Sequence, residues 1–198
     1  MKPNLKLVEA RGDAITFTFG RFNPPTIGHE KLIDATKKAA TREYRVYASK
    51  SQDPKKNPLD YEQKVQWMKR MFPKHKSKIV SGGNYRNALD VAVKLFDEGF
   101  LHLTMVVGSD RVQEFKKLLD RYNGVESKHG LYDFKTIKVK SAGERDPDAE
   151  GVAGMSASKM RKAAMDNDFK AFAQGLPPRF KDGERLFSDI KKKMPIKE

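Results

Sequence analysis

The sequence predicts an α/β fold on a doubly wound, five-stranded parallel sheet, and three observations carry that expectation. Strand-like and helix-like segments alternate five times, the rhythm of βα units joined by right-handed crossovers. The most apolar run, residues 101–107 (LHLTMVV), has the continuous hydrophobicity of a parallel strand covered on both faces. Glycine, proline and hydroxyl residues gather after two strand-like runs (GRFNPP, GSD) and before one helix (MSASK). In such sheets, ligands bind beyond the carboxyl ends of the strands.

Each element follows from local chemistry. Residues 14–19 (AITFTF) are β-branched and aromatic and stop at Gly20, which predicts the first strand. Leu32, Ala35 and Ala39, with Ile33 and Ala40 beside them, recur at helical spacing over 29–40. Residues 44–48 form a second strand before the polar loop SKSQDPKKNP. Asp60, with Gln63 three residues later, reads as a capping box. Its helix carries the stripe Tyr61, Val65, Met68 and Phe72 and ends at Pro73. Ile79 and Val80 before SGGN predict a short third strand, and residues 86–98, with Leu89, Val93 and Phe96, a helix. The run 101–107 is then the fourth strand. GSD leads into a helix over 111–121 bearing Val112, Phe115 and Leu119, and a fifth strand spans 134–139. After the loop SAGERDPDAEGVAG come helices over 156–165 and 169–174, the break LPPRF and a last helix over 184–193. No repeat or linker divides the chain, so residues 1–180 are expected to form one domain and 181–198 a basic helical tail.

Composition narrows the function. The chain has 198 residues, 38% of them hydrophobic and 10% aromatic, enough for a core. No apolar stretch is long enough to span a bilayer, and the start of the chain lacks the apolar segment of a signal peptide. There is no cysteine, which excludes disulfide and thiolate chemistry and fits a cytoplasmic location. Forty Lys and Arg against 26 Asp and Glu leave a formal charge of +14. That charge attracts polyanions, although lysines such as those of the terminal KKKMPIKE also serve plain solubility.

Three loops are candidates for phosphate binding. In GRFNPPTIGH, Gly20 and Gly28 permit close backbone approach, the prolines stiffen the loop and His29 stands at a helix start. A helix N-terminus offers unpaired N–H groups and a positive dipole to an anion. Gly108-Ser109-Asp110 places a carboxylate for a ribose or a base edge. In residues 155–161, Ser156 and Ser158 open a helix, with Lys159 and Arg161 in its first turns to grip phosphate oxygens. Each also has a plainer reading, the first as an ordinary turn and the others as helix caps.

GRFNPPTIGH resembles the first signature of the nucleotidylyltransferase superfamily that carries an H/T-x-G-H motif, with Thr26, Ile27, Gly28 and His29 as its T-x-G-H form. SASKMR resembles the second signature, I-S-S-T-x-I-R. Met155 stands there for Ile, Ala157 for the second Ser, Ser158 for Thr and Met160 for Ile, while Arg161 is kept. DPKKNPLDYEQKVQWM is similar to the segment N-P-x-K…S-x-E-E-R-x-x-M, and GLPPRF resembles the L-P closing element of adenylyltransferases. The similarity covers about residues 14–180 and includes pantetheine-phosphate and nicotinamide-nucleotide adenylyltransferases among the families it evokes.

That resemblance implies a Rossmann-like fold and a reaction in which a substrate phosphate attacks the α-phosphorus of a nucleoside triphosphate and pyrophosphate leaves. It implies that His29 donates to the triphosphate and Thr26 supports the same phosphates. The backbone from Gly20 through Arg21, Phe22 and Asn23 lies against the α-phosphate. Ser158 and Arg161 hold the β- and γ-phosphates beside Ser156 and Lys159. Lys55 or Lys56 meets the incoming phosphate, and Gly108, Ser109 and Asp110 lie near the nucleoside. Mg²⁺ rides on the triphosphate, with no protein metal site expected. ATP is preferred because SASKMR is nearer the adenylyl signature, and CTP stays open. The partners implied are a nucleoside triphosphate and a small phosphorylated acceptor, with homo-oligomerisation left open.

Other motifs carry less. Asp146, Asp148 and Glu150 suggest the start of a calcium loop, but its twelfth position is Ala157, where a bidentate Glu is needed. The acidic loop 144–151 reads instead as solvated, as a closing segment or as help for Mg²⁺. His29, His75, His102 and His129 lack metal-ligand spacing, and His102 reads as a core or edge residue. Trp67 shares its helix with the apolar stripe, which predicts a partly exposed packing role. The competing reading is a non-catalytic module that binds nucleotide or nucleic acid through its charge. Retention of Thr26, His29 and Arg161 together argues against it.

Overall fold

In the computed structural model, which describes residues 13–143 and 155–194, four strands form one parallel sheet. They are β1 (Ala14–Gly20), β2 (Glu43–Ala48), β3 (His102–Val107) and β4 (Thr136–Ser141), in the order β2-β1-β3-β4. Ala14 pairs with His102 and His102 with Thr136, so β3 is flanked by parallel neighbours. The chain adds β2 on one side of β1 and β3 on the other, the reversal that defines a doubly wound sheet. Ile15, Phe17, Leu103, Met105 and Val106 are buried, as the apolar runs require. Thr18 is tolerated among them because its hydroxyl donates to the Val106 carbonyl at 2.9 Å. At the edge, β4 exposes Lys138 and Lys140, and charge there discourages pairing with another chain.

The short third strand expected at Ile79-Val80 is absent: among the described residues the sheet has four strands, not five, and Ile79-Val80 is not one of them. The chain leaves Phe72 in a 3₁₀ turn, Pro73–Lys78, and the Ile79 N–H closes that turn on the His75 carbonyl. Ile79 is buried, so its hydrophobicity serves as a plug under the turn. Two apolar residues between KHKSK and SGGN are too few to override a local hydrogen bond.

The helices are α1 (Ile27–Ala39), α2 (Tyr61–Met71), α3 (Ala88–Asp97), α4 (Val112–Tyr122), α5 (Ala157–Met165), α6 (Phe169–Ala173) and α7 (Gly183–Lys193). Asp60 caps α2 by accepting from the Gln63 N–H, Asn87 caps α3, Ser156 caps α5 and Asp168 caps α6. The capping box at α2 is only half made, since the Gln63 side chain accepts from Lys193 of α7. Trp67 is buried more deeply than its sequence context predicts: its Nε1 donates to Asp189 and its ring meets Phe180 edge-on. His102, half-buried at the start of the interior strand β3, is held by the Thr136 hydroxyl at 2.8 Å and by Asp13.

Contacts divide the described residues into two compact units. The first holds residues up to Phe19, Leu32–Tyr47 and the stretch from Asn84 through β4. The second holds Gly20–Lys31, Ala48–Gly83 and helices α5 to α7. Helix α7 is therefore part of the second unit, with Leu186 and Ile190 buried. The acidic loop of 144–151 and the last four residues of the basic tail lie outside the described residues. No helix among the described residues is long and apolar enough to cross a membrane.

Candidate functional site

The first signature opens the second unit. Gly20 ends β1, and a Cβ there would sit 3.1 Å from the Phe22 ring, so the glycine makes room for that ring. Phe22 is buried with φ 47°, a left-handed conformation that a phenylalanine rarely adopts. Its ring packs 4.7 Å from that of His29, centroid to centroid. Asn23 is buried and clamps Leu59, donating from Nδ2 to the Leu59 carbonyl at 2.8 Å and accepting the Leu59 N–H at 3.0 Å. Its side chain is thus committed to the protein, and its carbonyl oxygen faces the second signature.

Thr26 and His29 form a closed local circuit. The Thr26 N–H donates to His29 Nδ1 at 3.0 Å, and the Thr26 hydroxyl lies 3.1 Å from the same nitrogen. A backbone N–H can only donate, so Nδ1 accepts and carries no proton. The neutral ring then holds its proton on Nε2. The helix N-terminus is partly used up, because the Ile27 N–H donates to the Gly175 carbonyl at 2.8 Å and the His29 N–H to Thr26. Gly28 is exposed, and a Cβ there would meet only ordinary contact with Thr26. Packing does not require that glycine.

The second signature meets the first. Ser156 spends its hydroxyl as the cap of α5, accepting from the Lys159 N–H at 3.2 Å. Arg161, half-buried one turn on, donates from Nη1 to the Asn23 carbonyl at 2.7 Å and from Nη2 to Ser158 Oγ at 3.0 Å. Burial lowers its pKa, Arg21 lowers it further, and Asp53 opposes both. Among the described residues no carboxylate lies within ion-pair distance of Arg21 or Arg161. Met160, one of the departures from the family pattern, is buried against Gly175, where a Cβ would fall 2.4 Å from its Sδ.

Lys55 and Lys56 stand at the tip of a short hairpin closed by Asp53 and Asn57. Asp53 Oδ1 accepts both lysine N–H groups, and the backbone of Lys56 is the first cause of the lowered Asp53 pKa. Both side chains are exposed. Lys159 is exposed as well. Gly108, Ser109 and Asp110 lie in the first unit, in a 3₁₀ turn after β3 (Ser109–Arg111). Asp110 is exposed and makes no capping bond to α4, which removes the plainer reading of that residue.

Three features of the second unit are absent from the sequence reading. Lys64 is fully buried and donates to the Ser49 carbonyl. Arg179 pairs with Glu30, the neighbour of His29, and Gly175 caps α1. Lys64 had a signal, since it falls on the apolar stripe three residues after Tyr61 and four before Met68. Arg179 and Gly175 had none, because their partners lie far away in sequence. Among the described residues no group of three or more His, Asp and Glu side chains gathers.

The model of the cytidylyltransferase-like family matches residues 17–163, from within β1 to within α5. Among curated proteins, none matches the chain. The matched span takes in the loop after β1, the Asp53–Asn57 hairpin and Arg161, and it covers most of the chain. The chain belongs to the cytidylyltransferase-like family.

Proposed function

We propose that the protein is a nucleotidylyltransferase that moves a nucleoside monophosphate, AMP from ATP in first place, onto a small phosphorylated acceptor. Family membership supports nucleotidyl transfer in general. The observation that carries the finer reading is the bond from Arg161 to the Asn23 carbonyl, which joins residues 138 apart in sequence. It brings a cation that has no carboxylate at ion-pair distance among the described residues onto the loop that carries His29, a juxtaposition suited to a polyphosphate.

In this reading a phosphate oxygen of the acceptor attacks the α-phosphorus, the α–β bridging bond breaks and pyrophosphate departs with the electron pair. Such a step needs in-line positioning and neutralised charge, with no covalent intermediate. His29 donates from Nε2 to the phosphates as charge builds on the departing oxygen. Arg161 holds the terminal phosphates in a fork that a lysine cannot reproduce, and Arg21 adds charge. Lys55 or Lys56 receives the acceptor phosphate, and Asp110 contacts the nucleoside. Mg²⁺ enters as part of the substrate, on the triphosphate.

The test is pyrophosphate release from each of the four nucleoside triphosphates against a panel of phosphorylated acceptors. Release with one nucleotide that depends on acceptor supports the reading. No release with any combination, alongside tight and salt-sensitive binding of random RNA, would favour the binding module instead.

A further inference from the structure

Lys64 is the least expected side chain of the second unit. It points from the buried stripe of α2 and is inaccessible to solvent. Its ammonium donates to the Ser49 carbonyl at 2.5 Å, and among the described residues no carboxylate lies within ion-pair distance. A buried ammonium without an ion-pair partner is costly, because desolvation is not offset by an opposite charge. Something must repay it here.

The surroundings show what is missing. The Ser49 N–H donates to the Gly20 carbonyl, so Lys64 braces the point where β1 passes into the first signature. Arg21, the next residue of that loop, opposes the charge on Lys64 and also the charge on Arg161. Among the described residues the carboxylate that favours Lys64 is Asp60, and it already serves the Gln63 N–H and Lys193. Ser49 Oγ is likewise buried without a partner among the described residues. Three cations therefore share one neighbourhood, and among the described residues none of them has a carboxylate at ion-pair distance. Burial and Arg21 push Lys64 down to about 8.

We propose that Lys64 is a positioning residue of the phosphate site, a buried cation that braces the start of the first loop through Ser49 and whose ammonium form is favoured by a polyphosphate in the neighbourhood of Arg21 and Arg161. The proposal rests on the nucleotidyl-transfer reading and adds a proton to it. An anion favours the ammonium form, so nucleotide binding takes up a proton on Lys64 Nζ. At any pH between the free and bound values the complex holds more protons than its parts. Affinity therefore falls as pH rises through that window.

Calorimetry of MgATP and MgCTP with the full chain at pH 8, in two buffers of different ionisation enthalpy, tests this. Near the titration midpoint the wild type is expected to take up about half a proton per nucleotide, with affinity falling by up to about tenfold per pH unit above it. Lys64→Met should bind more weakly, with no uptake and no slope. Lys64→Arg, charged throughout, should bind without uptake and lose the slope while keeping affinity. Binding by the wild type without proton uptake, or uptake that persists in Lys64→Met, overturns the role of Lys64 and leaves nucleotidyl transfer standing. If neither nucleotide binds, the functional reading falls and takes this one with it. Should a variant fail to fold, the buffer pair on the wild type decides alone.

Discussion

A single hydrogen bond decides what His29 can do. Because the Thr26 N–H occupies Nδ1, the ring presents its proton from Nε2. His29→Ala is expected to lower turnover by about 10²- to 10³-fold, the scale for losing one donor to a developing charge. It should also cost about 1 kcal/mol of stability, since Thr26 and Phe22 lose a partner. A variant that melts outright, or that turns over normally, would make the histidine structural. Arg161 spans Asn23 and Ser158 with two nitrogens, and a lysine has one. Arg161→Lys should thus weaken ATP binding by calorimetry while AMP binding barely changes; equal small effects on both ligands would sink the clamp. Asp110 makes no cap, so Asp110→Ala should leave the melting temperature in place and raise KM for nucleotide more than it lowers kcat. A drop in melting temperature with unchanged kinetics would reverse that assignment.

Elements bring these residues together through two close approaches. Gly20 admits the Phe22 ring, and Gly175 admits Met160 of α5 while its carbonyl caps α1. The altered second signature is therefore explained by packing at one of its positions: Met160 fills the space over a bare glycine. Gly175→Ala is expected to cost about 1–3 kcal/mol, the range for overpacking. Combined with Met160→Ala the two losses should be less than additive, because the smaller side chain removes the clash. Additive losses in urea titrations would show that the two residues act independently. Residues 175–182 are tied down further by Arg179 on Glu30, Phe180 on Trp67 and Asp182 on Arg70. Nothing in LPPRF advertises those contacts, since a break of helical pattern says only that the chain turns.

Across the whole molecule the +14 charge is unevenly spread. Among the described residues, Lys and Arg outnumber Asp and Glu by more than two to one in the second unit and nearly balance them in the first. The excess thus accompanies both signatures. Lys64 makes part of that charge a burden on stability. Its folded pKa of about 8 lies below the ordinary lysine value, so the unfolded chain binds more protons between the two. The penalty is full below about pH 8 and fades as pH rises toward about 10.4. Lys64→Met should be more stable than the wild type by roughly 3 kcal/mol at pH 7, with the gap shrinking toward pH 10. Urea midpoints at both pH values check it, and a constant gap would show that Lys64 does not titrate in this range.

By itself the sequence determined the alternation of strands and helices, the central place of the run 101–107 and the caps at Asp60 and Ser156. All of these are short-range signals: hydrophobic periodicity, capping oxygens, glycine and proline at turns. It overcounted the strands because Ile79-Val80 has strand-like residues, while the Ile79 N–H was claimed by the turn before it. Only the tertiary structure decided that Arg161 reaches Asn23, that Asn23 is spent on Leu59, that Gly175 is a packing glycine under Met160 and that Lys64 is buried with no carboxylate at ion-pair distance among the described residues. Those facts join residues tens of positions apart. A close approach or an unpaired charge exists only once two distant segments share the same space, and no local pattern records that.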